Sequence, residues 1–216
     1  MTRMMLFFTL LTLLVAPWQQ QPERRNLGVN DELTLDGTRP IMDNARVTVW
    51  DFTWTRGVPE AMERTTSDAI WVSIAPVAGQ AVYWPKGAVR RAAPSSGAAA
   101  RAIVVALKDS PPSTMENKTA YPNAFPRPGS KKLLENDRVV MWDYTWTPGQ
   151  PTPMHFHDKD ALVVYLKNGA LKSTTPDGAS VVNPLTVGKT TLNARDRVHT
   201  ETLVEGESRA IITELK

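Results

Sequence analysis

The chain has 216 residues, 42% of them hydrophobic, which allows one large or two small domains and excludes a disordered composition. Its formal net charge of +3 is small, and basic residues occur as isolated pairs such as Arg90 and Arg91, which argues against a nucleic-acid-binding surface. The absence of cysteine excludes disulfides, thiolate metal ligands and cysteine nucleophiles. The chemistry of this chain must therefore come from other side chains.

The N-terminus has the pattern of a secretion signal. Arg3 supplies a positive charge, and residues 4–16 are apolar apart from Thr9 and Thr12. This run is shorter than the roughly 20 residues that span a bilayer. We therefore predict a signal peptide over residues 1–21, a secreted or periplasmic protein, and no stable membrane insertion once the signal is removed. An uncleaved N-terminal anchor is the alternative.

The sequence contains one pattern twice. Residues 44–57 align without a gap with residues 136–149, at an offset of 92 residues. Further along, residues 101–108 match residues 209–216. Similarity of this density indicates two copies of one domain.

These repeats divide the chain into two domains of the same kind. We place the first domain at residues 22–115 and the second at residues 131–216. Residues 116–130 between them are rich in proline, which breaks both helices and central strands. An extended linker is therefore predicted there.

Each copy has the pattern of a β protein. Runs of β-branched and aromatic residues end at turn residues, as residues 138–147 do at Pro148 and Gly149. Residues 170–175 similarly end at the turn sequence Pro-Asp-Gly. No long helical period is convincing. Many short strands with regular turns predict an all-β fold, either a sandwich or a closed barrel.

The three histidines of the chain have the spacing of metal ligands. His155 and His157 are two residues apart, so on a strand both side chains face the same side. His199 lies in a later segment of strand character, which a closed barrel would bring near the other two. Neutral imidazole is the commonest protein ligand of transition metals. We therefore predict one divalent metal ion bound by all three histidines.

The first copy lacks these ligands. Glu63 and Thr65 stand where the second copy has His155 and His157. If Gly87 is matched with Gly178, the first copy is also about 17 residues shorter before the final matching segment, and we place the missing piece at the segment that carries His199. The first copy is therefore predicted to have a structural role and no site for the same metal.

Residues 130–216 resemble a cupin. The first motif of that family has a glycine, a His-x-His sequence, a carboxylate and a later glycine, which are here Gly149, His155, His157, Asp160 and Gly169. The second motif ends in a histidine, and residues 193–199 take its place. The resemblance implies an all-β fold of two tandem jelly-roll (cupin-type) β-barrels, of which the first is degenerate and lacks metal ligands.

The resemblance also implies a function. It suggests a divalent metal ion (Fe, Mn, Ni or Zn) and dioxygenase-type or isomerase-type chemistry on a small organic molecule. The alternative is a non-catalytic module that binds a metal or a small ligand in a structural role. Cupins commonly dimerise, so we expect either a homodimer or a first copy that fills the partner's place within one chain.

Three further polar residues are candidates for the site. Asp160 lies just before the place of the family's usual glutamate, so it would bind the metal or hydrogen-bond a ligating histidine. It also matches Asp68 in the histidine-free copy, which favours a structural role. Arg197 and Glu201 share the strand parity of His199, so we predict them as catalytic groups, the arginine for a substrate carboxylate and the glutamate as acid or base. A surface salt-bridge ladder is the alternative.

Aromatic residues alternate along one predicted strand of each copy. Trp142, Tyr144 and Trp146 share one face in the second copy. The same pattern recurs in the first copy at Trp50, Phe52 and Trp54. Because the first copy has no ligands, the repetition favours packing, either in the barrel core or at the contact between copies.

Overall fold

A computed structural model describes residues 39–54, 62–91 and 99–216 of the chain. The predicted signal peptide and the start of the first domain, residues 1–38, lie outside the described residues. Every regular element of the described residues is a β-strand, which confirms the all-β prediction. No helix in these residues is long and apolar enough to cross a membrane.

The strands of the first copy form one large sheet and a small ribbon. Within the described residues they are β1 (Met42–Asp43), β2 (Val47–Trp54), β3 (Met62–Arg64), β4 (Ala69–Ala75), β5 (Ala81–Trp84), β6 (Val89–Arg91) and β7 (Ala100–Leu107). The sheet has the order β1-β2-β7-β4-β5, and β3 pairs with β6. All these pairings are antiparallel.

The second copy has two sheets that enclose a jelly-roll barrel. Its strands are β8 (Lys131–Glu135), β9 (Val139–Trp146), β10 (His155–His157), β11 (Asp160–Tyr165), β12 (Gly169–Thr174), β13 (Ser180–Leu185), β14 (Thr190–Asn193), β15 (Arg197–Gly206) and β16 (Ser208–Leu215). One sheet has the order β14-β11-β16-β9-β8, and the other has the order β10-β15-β12-β13. The second sheet carries the histidines.

Strand β9 is buried on both faces. Val139 and Met141 point to one side, whereas Trp142, Tyr144 and Trp146 point to the other. The aliphatic side joins a cluster shared with the first copy, and the aromatic side fills the interior of the second barrel. The prediction that these aromatic residues pack the core is therefore confirmed.

The large sheets of the two copies pack face to face. Buried side chains from both sheets form one cluster, to which Val47, Ile70 and Val105 contribute from the first copy and Met141 and Ile211 from the second. Each of these five residues is at most 1% exposed. Burial of such apolar surface is the dominant favourable contribution to association. The copies therefore share a core at their contact.

Polar contacts across this interface repeat with pseudo-twofold symmetry. Arg138 donates from Nη1 to Asp68 Oδ2 at 2.9 Å, and the equivalent Arg46 places Nε 3.9 Å from Asp160 Oδ2. Each arginine also donates from Nη2 to a backbone carbonyl of the opposite copy, at 2.9 and 3.0 Å. A self-complementary contact of this kind is typical of twofold dimers. Here it lies within one chain.

The first copy lacks the hairpin that β12 and β13 form in the second. Val72 on β4 pairs with Ala81 on β5, with eight residues between them. The equivalent pair, Val164 on β11 and Thr190 on β14, has 25 residues between them. The 17-residue difference therefore lies at this hairpin, and among the described residues the second sheet of the first copy consists of the β3–β6 ribbon.

The strand that carries His199 has a counterpart in the first copy, so the prediction that this segment was lost is wrong. Strand β6 pairs with β3 as β15 pairs with β10, and Arg90 lies opposite Glu63 as His199 lies opposite His155. The first copy therefore keeps the strand but not the histidine.

Two turns with left-handed backbone explain this error. The sequence comparison matched Gly87 with Gly178, which lies in the β12–β13 turn. In the structure Gly87 (φ 84°) precedes β6 as Asp196 (φ 63°) precedes β15. Glycine favours this conformation and aspartate tolerates it, so the two turns are equivalent although their residues differ.

The segment predicted as a linker, residues 116–130, packs against the second barrel; we call it the strap. Ala124, Phe125 and Arg127 are 0%, 7% and 9% exposed. Phe156 on β10 donates its backbone N–H to Pro122 O at 2.8 Å, and its carbonyl accepts from Ala124 N at 2.8 Å. The strap therefore completes the barrel next to the histidine strand.

Candidate metal centre

The histidines come together because β10 and β15 are paired strands. His155 lies directly opposite His199, and His157 lies opposite Arg197. The two histidines of β10 face the same side because they are two residues apart on a strand. All three rings are buried, with exposures of 1%, 6% and 2% in chain order.

The distances between the rings fit one metal ion. The ring centroids lie 4.7 to 5.1 Å apart, and one nitrogen from each ring falls within 4.8 Å of the others. His157 Nε2 and His199 Nε2 are 2.9 Å apart. Bonds of about 2.0–2.1 Å from a metal to imidazole nitrogens allow nitrogens at this separation to share one ion. The predicted grouping of His155, His157 and His199 is therefore confirmed, and their donor set suits a metal ion.

Hydrogen bonds on the far side of two rings fix their orientation. His155 Nδ1 lies 2.7 Å from Pro153 O, and a carbonyl only accepts, so Nδ1 carries the proton and Nε2 keeps its lone pair. His199 Nδ1 lies 2.7 Å from Ser173 Oγ, which accepts in the tautomer that frees Nε2. Such outer partners orient metal ligands and raise their basicity.

Burial keeps the rings in the form that binds metals. It is the largest cause that lowers the pKa of His155 to about 4, of His157 to about 2 and of His199 to about 3. Neighbouring positive charges lower each pKa further, from Arg127 for His155 and from Arg197 for His199. All three imidazoles are therefore neutral at pH 7.

Arg197 and Glu201 both lie beside the site. Arg197 places Nη2 3.3 Å from His199 Nδ1 and donates from Nη1 to Asn193 Oδ1 at 3.1 Å. Glu201 accepts from Trp146 Nε1 at 3.1 Å through Oε2. The inward direction inferred from strand parity agrees with these contacts, and the catalytic roles stay a prediction.

Asp160 lies apart from the group of ligand nitrogens. Its carboxylate accepts from Arg195, from the backbone N–H at 2.9 Å and from Nη1 at 3.1 Å, and it faces Arg46 of the first copy. Among the described residues, possible metal-ligand atoms converge only from the three histidines. This geometry gives Asp160 a place at the contact between copies, as its match with Asp68 indicated.

Arg127 of the strap is a site residue that the sequence did not reveal. Its Nη1 lies 3.4 Å from His155 Nε2, and its Nη2 lies 3.5 Å from Glu201 Oε2. The strap has no counterpart in the aligned repeats and no strand periodicity, so no pattern indicated which of its side chains points inward. Only the packing of the strap brings this guanidinium to the histidines.

Glu214 on β16 is a second buried acid that sequence reasoning missed. It is 3% exposed and accepts from Trp142 Nε1 at 2.8 Å. Burial raises its pKa. Its equivalent in the first copy is Ala106, so a charged residue at a core position was the available signal.

A cavity of about 330 Å³ opens at one end of the second barrel. Trp146, Leu203 and Pro148 are among the residues that line it. Because Trp146 also donates to Glu201, one side chain contacts both the cavity and the polar groups of the site. None of the three histidines lines this cavity, which is therefore separate from the candidate metal centre.

Comparisons of sequence find no family for this chain. No protein-family model matches it. No curated protein matches it at a significant level.

Solved structures do resemble it. AerE from Microcystis aeruginosa is 11% identical, covers 83% of this chain and 97% of its own, and has a TM-score of 0.52. A cupin 2 conserved barrel domain protein from Leptotrichia buccalis is 13% identical over 83% of this chain and 88% of its own, with a TM-score of 0.48. A cupin domain from Bordetella pertussis Tohama I is 29% identical over 43% of this chain and 99% of its own, with a TM-score of 0.38.

These similarities concern the fold of the chain. The strand order of the second copy is that of a jelly roll, and the first copy repeats it without one hairpin. The strand topology therefore gives two tandem jelly-roll copies, the cupin-type fold that the sequence predicted, and the second copy holds three buried histidines at its centre.

Proposed function

We propose that the second barrel binds one divalent metal ion through Nε2 of His155, His157 and His199 and acts there on a small organic molecule. The observation that carries this proposal is the convergence of three buried, neutral imidazoles on one point. Iron, manganese, nickel and zinc all accept such ligands. The chemistry is of the dioxygenase or isomerase type.

The protein groups around the ion have separate roles in this proposal. A metal held by three histidines keeps open positions, at which it can bind dioxygen or polarise a substrate oxygen. Glu201 holds or accepts a proton, because its carboxylate is inside the barrel and touches Trp146. Arg197 contacts His199 at Nδ1, on the side of the ring away from the ion, so its part in this proposal is to position that ligand. The aromatic wall of β9 excludes water.

Metal analysis and oxygen uptake test this function together. Purified protein supplied with iron, manganese, nickel or zinc should bind one ion per chain, and His155→Ala should lose it. The ferrous form should then consume oxygen with at least one member of a panel of small acids, diketones and phenols. No bound metal under any supplement would refute the site, whereas bound metal without turnover would refute the dioxygenase chemistry alone.

A non-catalytic binding module is the second candidate. The depth of the histidines favours it, since none of the three rings is more than 6% exposed. In that case the metal would stabilise the barrel against unfolding by mass action, and no substrate would be turned over. A metal-dependent rise in the unfolding temperature, with no oxygen uptake and no isomerisation of the same panel, would support this candidate.

The N-terminal residues carry a separate proposal about location. A positive residue followed by the apolar residues 4–16 is the basis for secretion or export to the periplasm. N-terminal sequencing of the protein recovered from the medium or the periplasm should give a start beyond residue 16. Recovery of the full-length chain from a membrane fraction would support the uncleaved anchor instead.

A further inference from the structure

The strap holds one guanidinium rigidly inside the second barrel. Arg127 Cζ lies 4.0 Å from the ring centroid of Tyr144, 4.6 Å from that of Phe125 and 5.5 Å from that of Trp146. The backbone of Arg127 is closed into a turn, because Ser130 Oγ donates to Arg127 O at 2.6 Å. Contact with three aromatic rings and a fixed backbone leave the guanidinium little freedom.

The hydrogen-bonding capacity of Arg127 is largely unused. A guanidinium has five N–H donors. Its Nε is buried and has no hydrogen-bond partner, and its Nη2 lies 3.5 Å from Glu201 Oε2, an ion-pair distance that is long for a hydrogen bond. Its Nη1 faces His155 Nε2 at 3.4 Å, and that nitrogen is a proposed metal ligand whose lone pair the ion would occupy. Nε therefore has no acceptor, and Nη1 would lose its acceptor once His155 Nε2 bound a metal ion; a buried donor without an acceptor costs free energy.

The charges around the site also favour an anionic ligand. The guanidinium groups of Arg127 and Arg197 lie 3.4 and 3.3 Å from ring nitrogens of His155 and His199. Glu201 supplies one carboxylate in contact with Arg127. A divalent cation would add to this positive charge in a buried setting, where an uncompensated charge is expensive. An anion bound beside the metal would balance it.

We propose that Arg127 is the specificity-determining residue that binds the anionic group, a carboxylate or enolate oxygen, of the small molecule taken by the metal site. This inference rests on the proposed function and names its substrate class. Arg127 donates to the anionic oxygen from the side that faces His155, and the aromatic rings around it hold the donor in place. Neutral molecules of the same shape leave these donors unpaired and bind more weakly.

Binding of a matched pair of probes tests this directly. Benzoate and benzamide have the same shape and differ in charge, and quenching of tryptophan fluorescence reports their binding because Trp146 lies beside the guanidinium. Metal-loaded wild-type protein should bind benzoate about tenfold or more tightly than benzamide, the preference expected of a charge-assisted hydrogen bond. Metal content is measured on each sample before the titration.

Three variants separate recognition from packing. Arg127→Met keeps the length of the side chain and should abolish the preference for benzoate while one metal ion per chain is retained. Arg127→Lys keeps the charge and should retain part of the preference. Glu201→Gln removes the carboxylate that competes for the guanidinium and should tighten benzoate binding, which provides a test that does not depend on the folding of Arg127→Met.

The outcomes distinguish this inference from the function on which it rests. Wild-type protein that binds no metal would overturn the proposed function and this inference with it. Wild-type protein that binds metal but prefers neither probe would overturn the inference alone. An Arg127→Met protein that is folded and still prefers benzoate, or a Glu201→Gln protein with weakened benzoate binding, would do the same and would leave Arg127 a packing residue.

Discussion

The histidines of the second barrel owe their properties to where the strands place them. His155 and His157 point into the barrel because they are two residues apart on β10, and His199 meets them because β15 is the neighbouring strand. Burial then makes the neutral form of each ring the stable one, and hydrogen bonds to Pro153 and Ser173 turn two of the rings inward. The position, protonation state and orientation of these rings are therefore all suited to metal binding.

The depressed pKa values predict how the metal-free protein responds to acid. Histidine in the unfolded chain protonates near its ordinary pKa of about 6.5, whereas the folded rings stay neutral to about pH 4. Below about pH 6.5 the unfolded state therefore binds more protons than the native state. The free energy of unfolding should fall by about 1.4 kcal/mol per pH unit for each histidine as the pH drops from about 6.5 to about 4.

Urea unfolding of the metal-free protein at about pH 7 and about pH 5 measures this loss. Glu214 acts in the opposite direction because burial raises its pKa, but it is one group against three. His157→Leu should reduce the pH dependence by about a third, since that variant has one fewer histidine to protonate. Equal stability at the two pH values would contradict the neutral, buried state of the rings.

At the scale of elements, the strap and the β12–β13 hairpin distinguish the second copy from the first. The strap covers the second barrel and supplies Phe125 and Arg127 to its interior. Phe125 stacks on Trp142 with ring centroids 5.1 Å apart and an interplanar angle of 17°. The hairpin supplies Ser173, which orients His199. The candidate metal centre therefore depends on elements outside the strands that carry its three histidines.

Substitution of Phe125 measures what the strap contributes. Phe125→Ala should lower the free energy of unfolding by about 3–5 kcal/mol, because it leaves a cavity against Trp142. Tyr121→Ala in the same strap is the matched control, since Tyr121 is 36% exposed and its loss should cost much less. Equal effects of the two substitutions on urea unfolding would mean that the strap does not belong to the barrel core.

The parts of the site that the sequence predicted depend on local structure, whereas the parts that it missed depend on contacts between distant segments of the chain. The i, i+2 spacing of His155 and His157 is local, so strand geometry alone predicted their common direction. The place of Arg127 depends on how the strap packs, which no periodicity encodes. The sequence prediction put the deletion in the first copy at the wrong segment because it matched Gly87 with another glycine. The structural equivalent of Gly87 is Asp196, which has the same left-handed conformation. The sequence shows the type of each residue but not its backbone conformation.

At the scale of the whole molecule, the two copies form an internal pseudo-dimer. Their large sheets share a hydrophobic cluster, and the pairs of Arg138 with Asp68 and of Arg46 with Asp160 repeat across the contact. The first copy keeps this contact although it has no histidine. Its retained contribution is therefore to cover the second barrel's sheet, as a partner subunit would.

This arrangement predicts equivalent roles for Asp68 and Asp160. Asp160→Asn and Asp68→Asn should each lower the free energy of unfolding by about 1–3 kcal/mol, because each leaves a partly buried arginine poorly paired. Metal content should stay at one ion per chain in both variants. Loss of the metal from Asp160→Asn alone would make Asp160 a ligand and would contradict its assignment to the contact between copies.

The central claim is that His155, His157 and His199 bind one metal ion through their Nε2 atoms. Anomalous diffraction at the absorption edge of the bound metal, recorded on crystals of protein with known metal content, tests it most directly. We predict one anomalous peak per chain, within bonding distance, about 2.0–2.3 Å, of all three Nε2 atoms, and no peak in His157→Ala crystals. A peak at another position, or a peak that persists in His157→Ala at full occupancy, would contradict the claim.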